Sequence, residues 1–258
     1  MEVFLAIGAF LAIFMAVLLV SRPAAIRSDY TLAALFVLFG LTQLLGYLEV
    51  YNRLNDYPFP GFLHLAPPFI LLHGPFLWFY VRSLTYQHFR FKAKYLLHLL
   101  PALVVLVLMY GAVYSLPSQD RIALDTAESF RSDPAFPAVI VIIFITIQGY
   151  AIWWMNLIRK YKKGIKSYFS ELTDFDLSWL RILLISVVVF YSLICVLYIL
   201  DFLMELMPYG TLQMAGFSFA SLFVITLAYF GLRQGNLFAS TSIKIDIDDS
   251  SKELDAYY

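Results

Sequence analysis

Two carboxylates near the end of an apolar run are well placed to bind a ligand. Asp201 and Glu205 are four positions apart, so on a helix they would share one face, and Tyr198 lies three residues earlier on the same stripe. Neighbouring carboxylates repel each other, and a cation, a proton or a basic ligand would relieve that repulsion. Ionisable groups inside membrane helices are costly and normally face the bundle interior or water. The stripe therefore predicts a polar face turned towards a binding pocket.

If the N-terminus lies outside the membrane, as the distribution of cations predicts, other polar side chains also lie in the outer halves of their apolar runs. Together with the stripe they predict an outer ligand-binding pocket made of Glu49, His64, Tyr198, Asp201, Glu205 and Gln213. An alternative interpretation is that Glu49 and Glu205 lie at the level of the lipid headgroups and are only hydrated.

The sequence lacks the residue patterns of the common metal and nucleotide sites. Only His64 and His73 share one apolar run, and their spacing places them on opposite helix faces about 13 Å apart along the axis. There is no HExxH, GxSxG or GxxxxGK[ST] pattern. No lysine falls within an apolar run, which excludes a retinal Schiff base of the rhodopsin type. We therefore expect no metal site, no cofactor and no catalytic residue, and hence no enzyme.

The elements that must position these residues are membrane helices. Of the 258 residues 61% are hydrophobic, and the mean hydropathy is +0.77. A hydrocarbon core of about 30 Å needs roughly 20 mainly apolar residues per helix. Seven runs meet this length: 2–21, 31–50, 62–82, 96–115, 136–158, 179–205 and 211–232. The sequence predicts an all-α fold, a polytopic membrane helical bundle with seven transmembrane helices.

The distribution of cations predicts the orientation of this bundle. All but three of the 18 lysines and arginines follow the first, third, fifth and seventh runs, and the exceptions are Arg53, Arg121 and Arg131. Because cytoplasmic loops carry the excess of Lys and Arg, the N-terminus should be outside and the C-terminus inside. We expect a multi-pass protein of the cell inner membrane.

The third run contains residues that would bend a helix. The string "LLHGPFLWFYVRSLT", residues 71–85, places His73, Gly74 and Pro75 within the run, and a Pro-Pro pair lies at 67–68. Proline lacks an N–H group and crowds the carbonyl of the preceding turn, which predicts one kink near Pro75 and a second near the Pro-Pro pair. A kinked helix can have two arrangements of similar energy, so His73, Gly74 and Pro75 form a candidate switch. The alternative is that the proline only shapes packing.

Four strings in this order resemble a known module: "LLHGPFLWFYVRSLT", "LLHLLPALVVLV", "YFSELTDFDLSWLRILL" and "YFGLRQGNLF". They are similar to the seven-helix membrane sensor module that precedes a cytoplasmic AraC-type helix-turn-helix domain in Bacteroidetes. The resemblance spans roughly residues 1–238. The matching positions are His73, Gly74, Pro75, Tyr80, Arg82, Leu84, Pro101, Ser170, Leu177, Trp179, Leu180, Arg181, Gly231 and Gln234.

The resemblance implies the signal-sensing module of a one-component transcriptional regulator. A periplasmic or membrane stimulus, or an unknown small ligand, would act through the last helix, and paired DNA half-sites would imply a homodimer. We expect a sensor domain at 1–232 and an acidic cytoplasmic linker at 233–258. That linker cannot hold a phosphate backbone, so DNA would be bound only through a domain absent from this sequence. The alternative is a stand-alone seven-helix protein that acts as a small-solute transporter or an intramembrane enzyme.

Overall fold

The computed structural model describes residues 2–23, 25–85, 92–166 and 178–239, and within these ranges it is helical without strands. Short 3-10 helices lie at Pro60–Phe62, Ala93–Leu99 and Ser129–Ser132, and a π-helix lies at Tyr110–Tyr114. The α-helices are α1 (Glu2–Val20), α2 (Arg27–Leu54), α3 (Pro67–Thr85), α4 (Leu100–Met109), α5 (Ser118–Thr126), α6 (Ala135–Lys166), α7 (Ser178–Met204) and α8 (Tyr209–Ala239). The prediction of an all-α helical fold is confirmed for the described residues.

Six of the described helical segments are long and apolar enough to cross a membrane. They are Val3–Val20, Arg27–Leu54, Ala93–Tyr114, Ala135–Lys160, Leu184–Met204 and Tyr209–Tyr229. The helix α3, which the sequence predicts as the third span, is not among them, and it packs between α2, α4 and α6. The chain thus has the helices of a membrane protein, and the seventh span stays a prediction.

The surfaces of these helices are apolar, as contact with lipid tails requires. Exposed side chains include Phe10, Val107, Ile145, Ile152 and Leu203. A protein surrounded by water rarely exposes contiguous apolar surface on this scale. Several polar side chains are instead buried inside the bundle, among them Thr42, Gln43, Glu49, His73 and Asp201.

The helix α3 is the central element of the bundle, and it begins later than predicted. It starts at Pro67 and continues through Pro75 to Thr85. Pro67 and Pro68 therefore lie in the first turn, where backbone N–H groups have no partner within the helix. The predicted second kink at this pair is wrong, because the helix starts there. Pro75 lies inside the helix as predicted.

A glycine sets the distance between α3 and α6. A Cβ atom added to Gly74 would lie 2.7 Å from Cδ2 of the Tyr150 ring, closer than side chains pack. The aromatic core of the bundle lies around this contact and contains Trp78 and Trp154. The close approach of α3 and α6 therefore depends on the absence of a side chain at residue 74.

The helix α8 extends beyond the predicted end of the sensor domain, to Ala239. The predicted linker from residue 240 onwards lies outside the described residues, as do Ser170 and Leu177 of the matching positions.

Candidate functional site

Arg53, in the last turn of α2, holds two carboxylates at one end of the bundle. Its Nε and Nη2 donate to Asp125 Oδ2 and Oδ1 at 2.9 and 2.7 Å, and Nη2 also donates to Glu49 Oε1 at 3.0 Å. Its Nη1 donates to Gln213 Oε1. We call Arg53, Glu49, His64, Asp125 and Gln213 the Arg53 cluster. It joins α2, α5 and α8, and we refer to this end of the bundle as the α5 end.

His64 reaches the Arg53 cluster from the segment that precedes α3. Its Nε2 lies 3.1 Å from Asp125 Oδ1, and its Nδ1 lies 3.6 Å from Glu49 Oε1. The backbone of His64 is left-handed, with φ at 56°, a conformation that costs a residue with a side chain about 1–3 kcal/mol. Its carbonyl accepts a hydrogen bond from the Tyr114 hydroxyl at 2.9 Å, which helps to hold the segment in place.

The surroundings of Asp125 keep its carboxylate ionised. Burial alone would raise its pKa, but the neighbouring His64 imidazole and the hydrogen bonds from Arg53 hold the pKa of Asp125 well below its usual range. The Tyr57 hydroxyl also donates to Asp125 Oδ2 at 3.0 Å, and burial together with this carboxylate raises the pKa of the Tyr57 phenol. The second carboxylate, Glu49, is fully buried, and its Oε2 has no hydrogen-bond partner among the described residues.

Three members of the Arg53 cluster have the ligand types of a metal site. Glu49, His64 and Asp125 are buried, and each offers one ligand atom within 4.8 Å of the others. Arg53 already donates to both carboxylates, so a guanidinium lies where a metal cation would bind. The arrangement is therefore that of an ion-pair cluster, and a metal would have to displace Arg53. The sequence alone does not reveal this grouping, because Asp125 lies in a connecting segment with no spacing relationship to His64.

Asp201 is held by a second ion pair at the same end. Arg131 donates from Nη1 to Asp201 Oδ2 at 2.8 Å and from Nε to Glu128 Oε2 at 2.7 Å. Burial alone would lower the pKa of Arg131, but these hydrogen bonds to Asp201 and Glu128 raise it above its usual value. The Asp201 Oδ1 also accepts from the backbone N–H of Met207 at 3.0 Å.

Glu205 does not share a helix face with Asp201. The helix α7 ends at Met204, and Glu205 follows it with a φ of 47° and an exposed side chain. The predicted pair of repelling carboxylates on one face of a helix is therefore wrong. The repulsion is absent because α7 ends before Glu205 and because Arg131 pairs with Asp201.

A largely apolar cavity of about 140 Å³ lies beside these ion pairs and is lined by residues of α3, α4, α6, α7 and α8 and of the segments that precede α3 and α6. We call it the apolar cavity. Its apolar walls include Met109, Val139, Ile143, Ile194 and Phe217. Its polar lining includes His64, Arg131, Tyr191, Tyr198, Asp201 and Gln213. An apolar cavity of about 150 Å³ is large enough to bind benzene, so this one fits a molecule of similar size.

The structure brings together four of the six residues of the predicted pocket. His64, Tyr198, Asp201 and Gln213 line the apolar cavity. Glu49 lies behind it in the Arg53 cluster, fully buried, so the alternative that it is only hydrated is wrong. Glu205 is outside the lining and exposed, which agrees with that alternative. Arg53, Asp125 and Arg131, which fix the polar end of the cavity, were not predicted.

His73 connects the apolar cavity to α2. Its Nδ1 lies 2.7 Å from the Tyr191 hydroxyl, and its Nε2 lies 3.0 Å from Thr42 Oγ1. Because the Thr42 hydroxyl donates to the carbonyl of Leu38 at 2.8 Å, it must accept from His73 Nε2–H. In the neutral imidazole Nδ1 is then the acceptor, and the Tyr191 hydroxyl donates to it. A continuous chain of hydrogen bonds runs from the wall of the cavity on α7, through α3, to α2.

Comparisons of the chain with protein-family models, with curated proteins and with solved structures find no match. Function must therefore be inferred from the site itself.

Proposed function

We propose that this chain is the sensing module of a membrane signalling protein, and that it binds a small, mainly apolar ligand in the apolar cavity. The observation that supports this most directly is the composition of the cavity lining. Five helices supply apolar walls, and ion pairs at Arg53 and Arg131 fix a polar end. Mostly apolar walls with a few placed polar groups are the usual form of a small-molecule site.

The hydrogen-bond chain through His73 supplies a route from ligand to helix movement. A ligand in the cavity contacts Tyr191, whose hydroxyl position decides whether the bond to His73 Nδ1 forms. The position of α7 relative to α2 thus depends on whether the cavity is filled. A ligand can shift such an equilibrium only by its difference in affinity for the two arrangements. This role extends the proposed switch at His73, Gly74 and Pro75 to include Tyr191.

We further propose seven spans, with α3 as the third, the N-terminus outside and the C-terminus inside, in a cell inner membrane. The distribution of cations supports this orientation. Arg53, Arg121 and Arg131 lie at the α5 end. Among the described residues Arg22, Arg82 and Arg159 lie at the opposite end. In this topology the α5 end faces outwards, so the apolar cavity would receive its ligand from the periplasm or from the outer half of the lipid bilayer.

The output of the module is proposed from the sequence resemblance. A cytoplasmic AraC-type helix-turn-helix domain after α8 would bind DNA as part of a homodimer, and α8 would pass the change to it. This makes the chain one half of a transcriptional regulator and not an enzyme.

The test uses a cavity-filling variant with a matched control on the same helix. The purified chain in micelles would be titrated with phenol, benzyl alcohol and indole while its Tm is measured. We expect a saturable rise in Tm for at least one probe, absent in Ile143→Phe and kept in Ile145→Phe, since Ile143 lines the cavity and Ile145 is exposed. No saturable rise in the unmodified chain, or an equal rise in both variants, would contradict the proposal.

A second candidate function is an intramembrane metalloenzyme, for which Glu49, His64 and Asp125 would supply the metal ligands once Arg53 is displaced. Elemental analysis of the purified chain tests it. One zinc ion per chain, lost in His64→Ala, would support the enzyme over the sensor. A third possibility, a small-solute transporter, would require net flux into proteoliposomes.

A further inference from the structure

The apolar cavity is covered at the α5 end by the 3-10 helix Ser129–Ser132. Both serines of this helix are exposed, whereas Phe130 is 3% exposed and lines the cavity. The Phe130 ring packs against the rings of Phe136 and Tyr209, each at a centroid distance of 4.8 Å. The 3-10 helix therefore has a polar outer side and an aromatic inner side over the cavity.

Hydrogen bonds hold this cover against α7 and the start of α8. Arg131 donates from Nη2 to the Met207 carbonyl at 3.1 Å and from Nη1 to Asp201 Oδ2 at 2.8 Å. The Glu128 carboxylate accepts from the backbone N–H of Tyr209 at 3.1 Å. A ligand that came from water at this end would have to break several of these bonds. The α5 end is therefore a closed route into the cavity.

The charged groups that line the apolar cavity are already paired within the protein. Arg131 donates to Asp201 Oδ2 at 2.8 Å and to Glu128 Oε2 at 2.7 Å. The His64 Nε2 lies 3.1 Å from Asp125 Oδ1. Among the described residues of the lining, a charged ligand would find no free counter-charge, and burial of an unpaired charge is costly. The cavity therefore favours an uncharged ligand.

The wall of the cavity between α7 and α8 is thin at one level. Ile194 of α7 lines the cavity, and its Cγ2 would lie 4.0 Å from a Cβ atom added to Gly216 of α8. Among the described residues, no side chain from another helix comes closer to that position. The neighbouring Leu193 and Phe219 are exposed on the lipid side. At this level Ile194 is the side chain that separates the cavity from lipid.

Aromatic pairs close the same seam on both sides of Ile194. The ring of Phe190 packs against that of Phe219 at 5.5 Å, and the ring of Tyr198 packs against that of Tyr209 at 5.9 Å. Phe190 and Tyr198 lie four residues before and after Ile194, so the two pairs are about 12 Å apart along α7. Between them an isoleucine faces a glycine.

We propose that the ligand of the apolar cavity is an uncharged lipophilic molecule that enters from the bilayer between α7 and α8, with Ile194 as the gate. This ligand class and this route rest on the function proposed above, since they concern the same cavity. Rotation of the Ile194 side chain away from Gly216 opens the seam between the two aromatic pairs. The covered α5 end and the paired charges disfavour a charged ligand that comes from water.

Cys195 allows the route to be measured directly. It is the only cysteine of the chain, and it lines the cavity. Its thiol displaces methanesulfinate from an alkyl methanethiosulfonate and forms a disulfide with the alkylthio group. Neohexyl methanethiosulfonate is uncharged, and the trimethylammonioethyl reagent has the same shape with a positive charge. Labelling of the full chain in proteoliposomes would be followed by mass spectrometry, and each rate would be divided by the rate with a free thiol.

The charge of the reagent tests the ligand class in the unmodified chain. The neohexyl reagent should label Cys195 at least about 100-fold faster than the trimethylammonioethyl reagent after this correction. Equal corrected rates, or no labelling by the neohexyl reagent, would overturn the proposal. A saturable rise in Tm in the test of the proposed function, together with either result, would reject only the ligand class and route.

Gly216→Ile tests the route, with Gly149→Ile as its matched control. The first adds a side chain to the seam, whereas Gly149 lies on α6 outside the cavity lining and an added Cβ there meets nothing within 4 Å. Labelling by the neohexyl reagent should slow about tenfold in Gly216→Ile and stay unchanged in Gly149→Ile. Equal rates in the two variants would overturn the route between α7 and α8.

A second variant tests the gate from α7 and does not depend on whether Gly216→Ile folds. Ile194→Ala shortens the side chain that closes the seam, so labelling by the neohexyl reagent should become about tenfold faster. An unchanged rate in Ile194→Ala would show that this residue is not the gate.

Discussion

Arg53 in α2 holds Asp125 in α5 by two parallel hydrogen bonds, of 2.9 Å from Nε and 2.7 Å from Nη2. A guanidinium and a carboxylate in this geometry fix orientation as well as distance. The segment between α4 and α6 is therefore tied to the end of α2. Because that segment also carries Arg131, the same contact positions the residue that pairs with Asp201 at the apolar cavity.

Removal of Arg53 should destabilise the fold more than removal of any exposed cation. Arg53→Met leaves the Glu49 and Asp125 carboxylates buried without their shared partner, and breaking a buried pair in this way costs about 3–5 kcal/mol. The measurement is the free energy of unfolding in mixed micelles.

The matched control is Arg159→Met, since Arg159 is exposed. Its change should stay within about 0.5 kcal/mol. The double variant Arg53→Met/Asp125→Asn should recover part of the loss, because one of the two unpaired charges is gone. Equal stability of Arg53→Met and Arg159→Met would show that the Arg53 cluster contributes nothing.

Stability at acid pH should depend on Asp125. The pKa of its carboxyl is lower in the folded chain than in the unfolded one, so its contribution is complete above about pH 4 and is lost as the pH falls below that value. Asp125→Asn should be less stable at pH 7 and should lose less stability between pH 5 and pH 3. Parallel pH curves for the two chains would contradict the assignment.

The close approach of α3 and α6 predicts opposite effects for two glycines. Gly74→Ala must push the Tyr150 ring aside and should cost about 1–3 kcal/mol of unfolding free energy. Gly149→Ala adds a methyl group to open space on α6 and should be neutral or stabilising by up to about 1 kcal/mol. If the two variants have the same stability, the contact between Gly74 and Tyr150 does not set the packing distance.

The hydrogen bond between Tyr191 and His73 predicts an effect on a different helix. Tyr191→Phe keeps the ring on the cavity wall but leaves His73 Nδ1 buried without a donor, at a cost of about 1–3 kcal/mol. Hydrogen–deuterium exchange should become faster in α2 around Thr42. Tyr110→Phe serves as the control, since Tyr110 is exposed. Faster exchange confined to α7 would show that the chain does not reach α2.

Membrane helices and part of the polar pocket were predictable from the sequence because both depend on single residues or local runs. An ionisable residue such as Asp201 is easily recognised within an apolar run of the sequence. Because its insertion into lipid costs free energy, such a residue is expected to be buried inside the bundle. His64 and Gln213 were found in the same way. These residues do line the apolar cavity.

The ion-pair partners were not predictable, because they come from the segment that connects two helices. Asp125 and Arg131 lie in a polar stretch whose fold back over the bundle depends on tertiary contacts. Glu49 was misjudged for a similar reason, since its buried carboxylate is compensated by Arg53 and by His64, and His64 comes from the segment that precedes α3. The predicted start of α3 at residue 62 was wrong because hydropathy alone carries no information on helix starts. Pro67 and Pro68 suit the first turn of a helix, and α3 begins there.

The spacing of Glu49 and Arg53 also bears on how the protein is made. Asp125 follows Arg53 by 72 residues, so a ribosome delivers α2 to the translocon well before that partner is synthesised. Glu49 lies one turn from Arg53 and pairs with it at 3.0 Å. The nascent α2 can therefore leave the translocon with this pair electrically neutral, and Asp125 joins an arginine that already has a partner on its own helix.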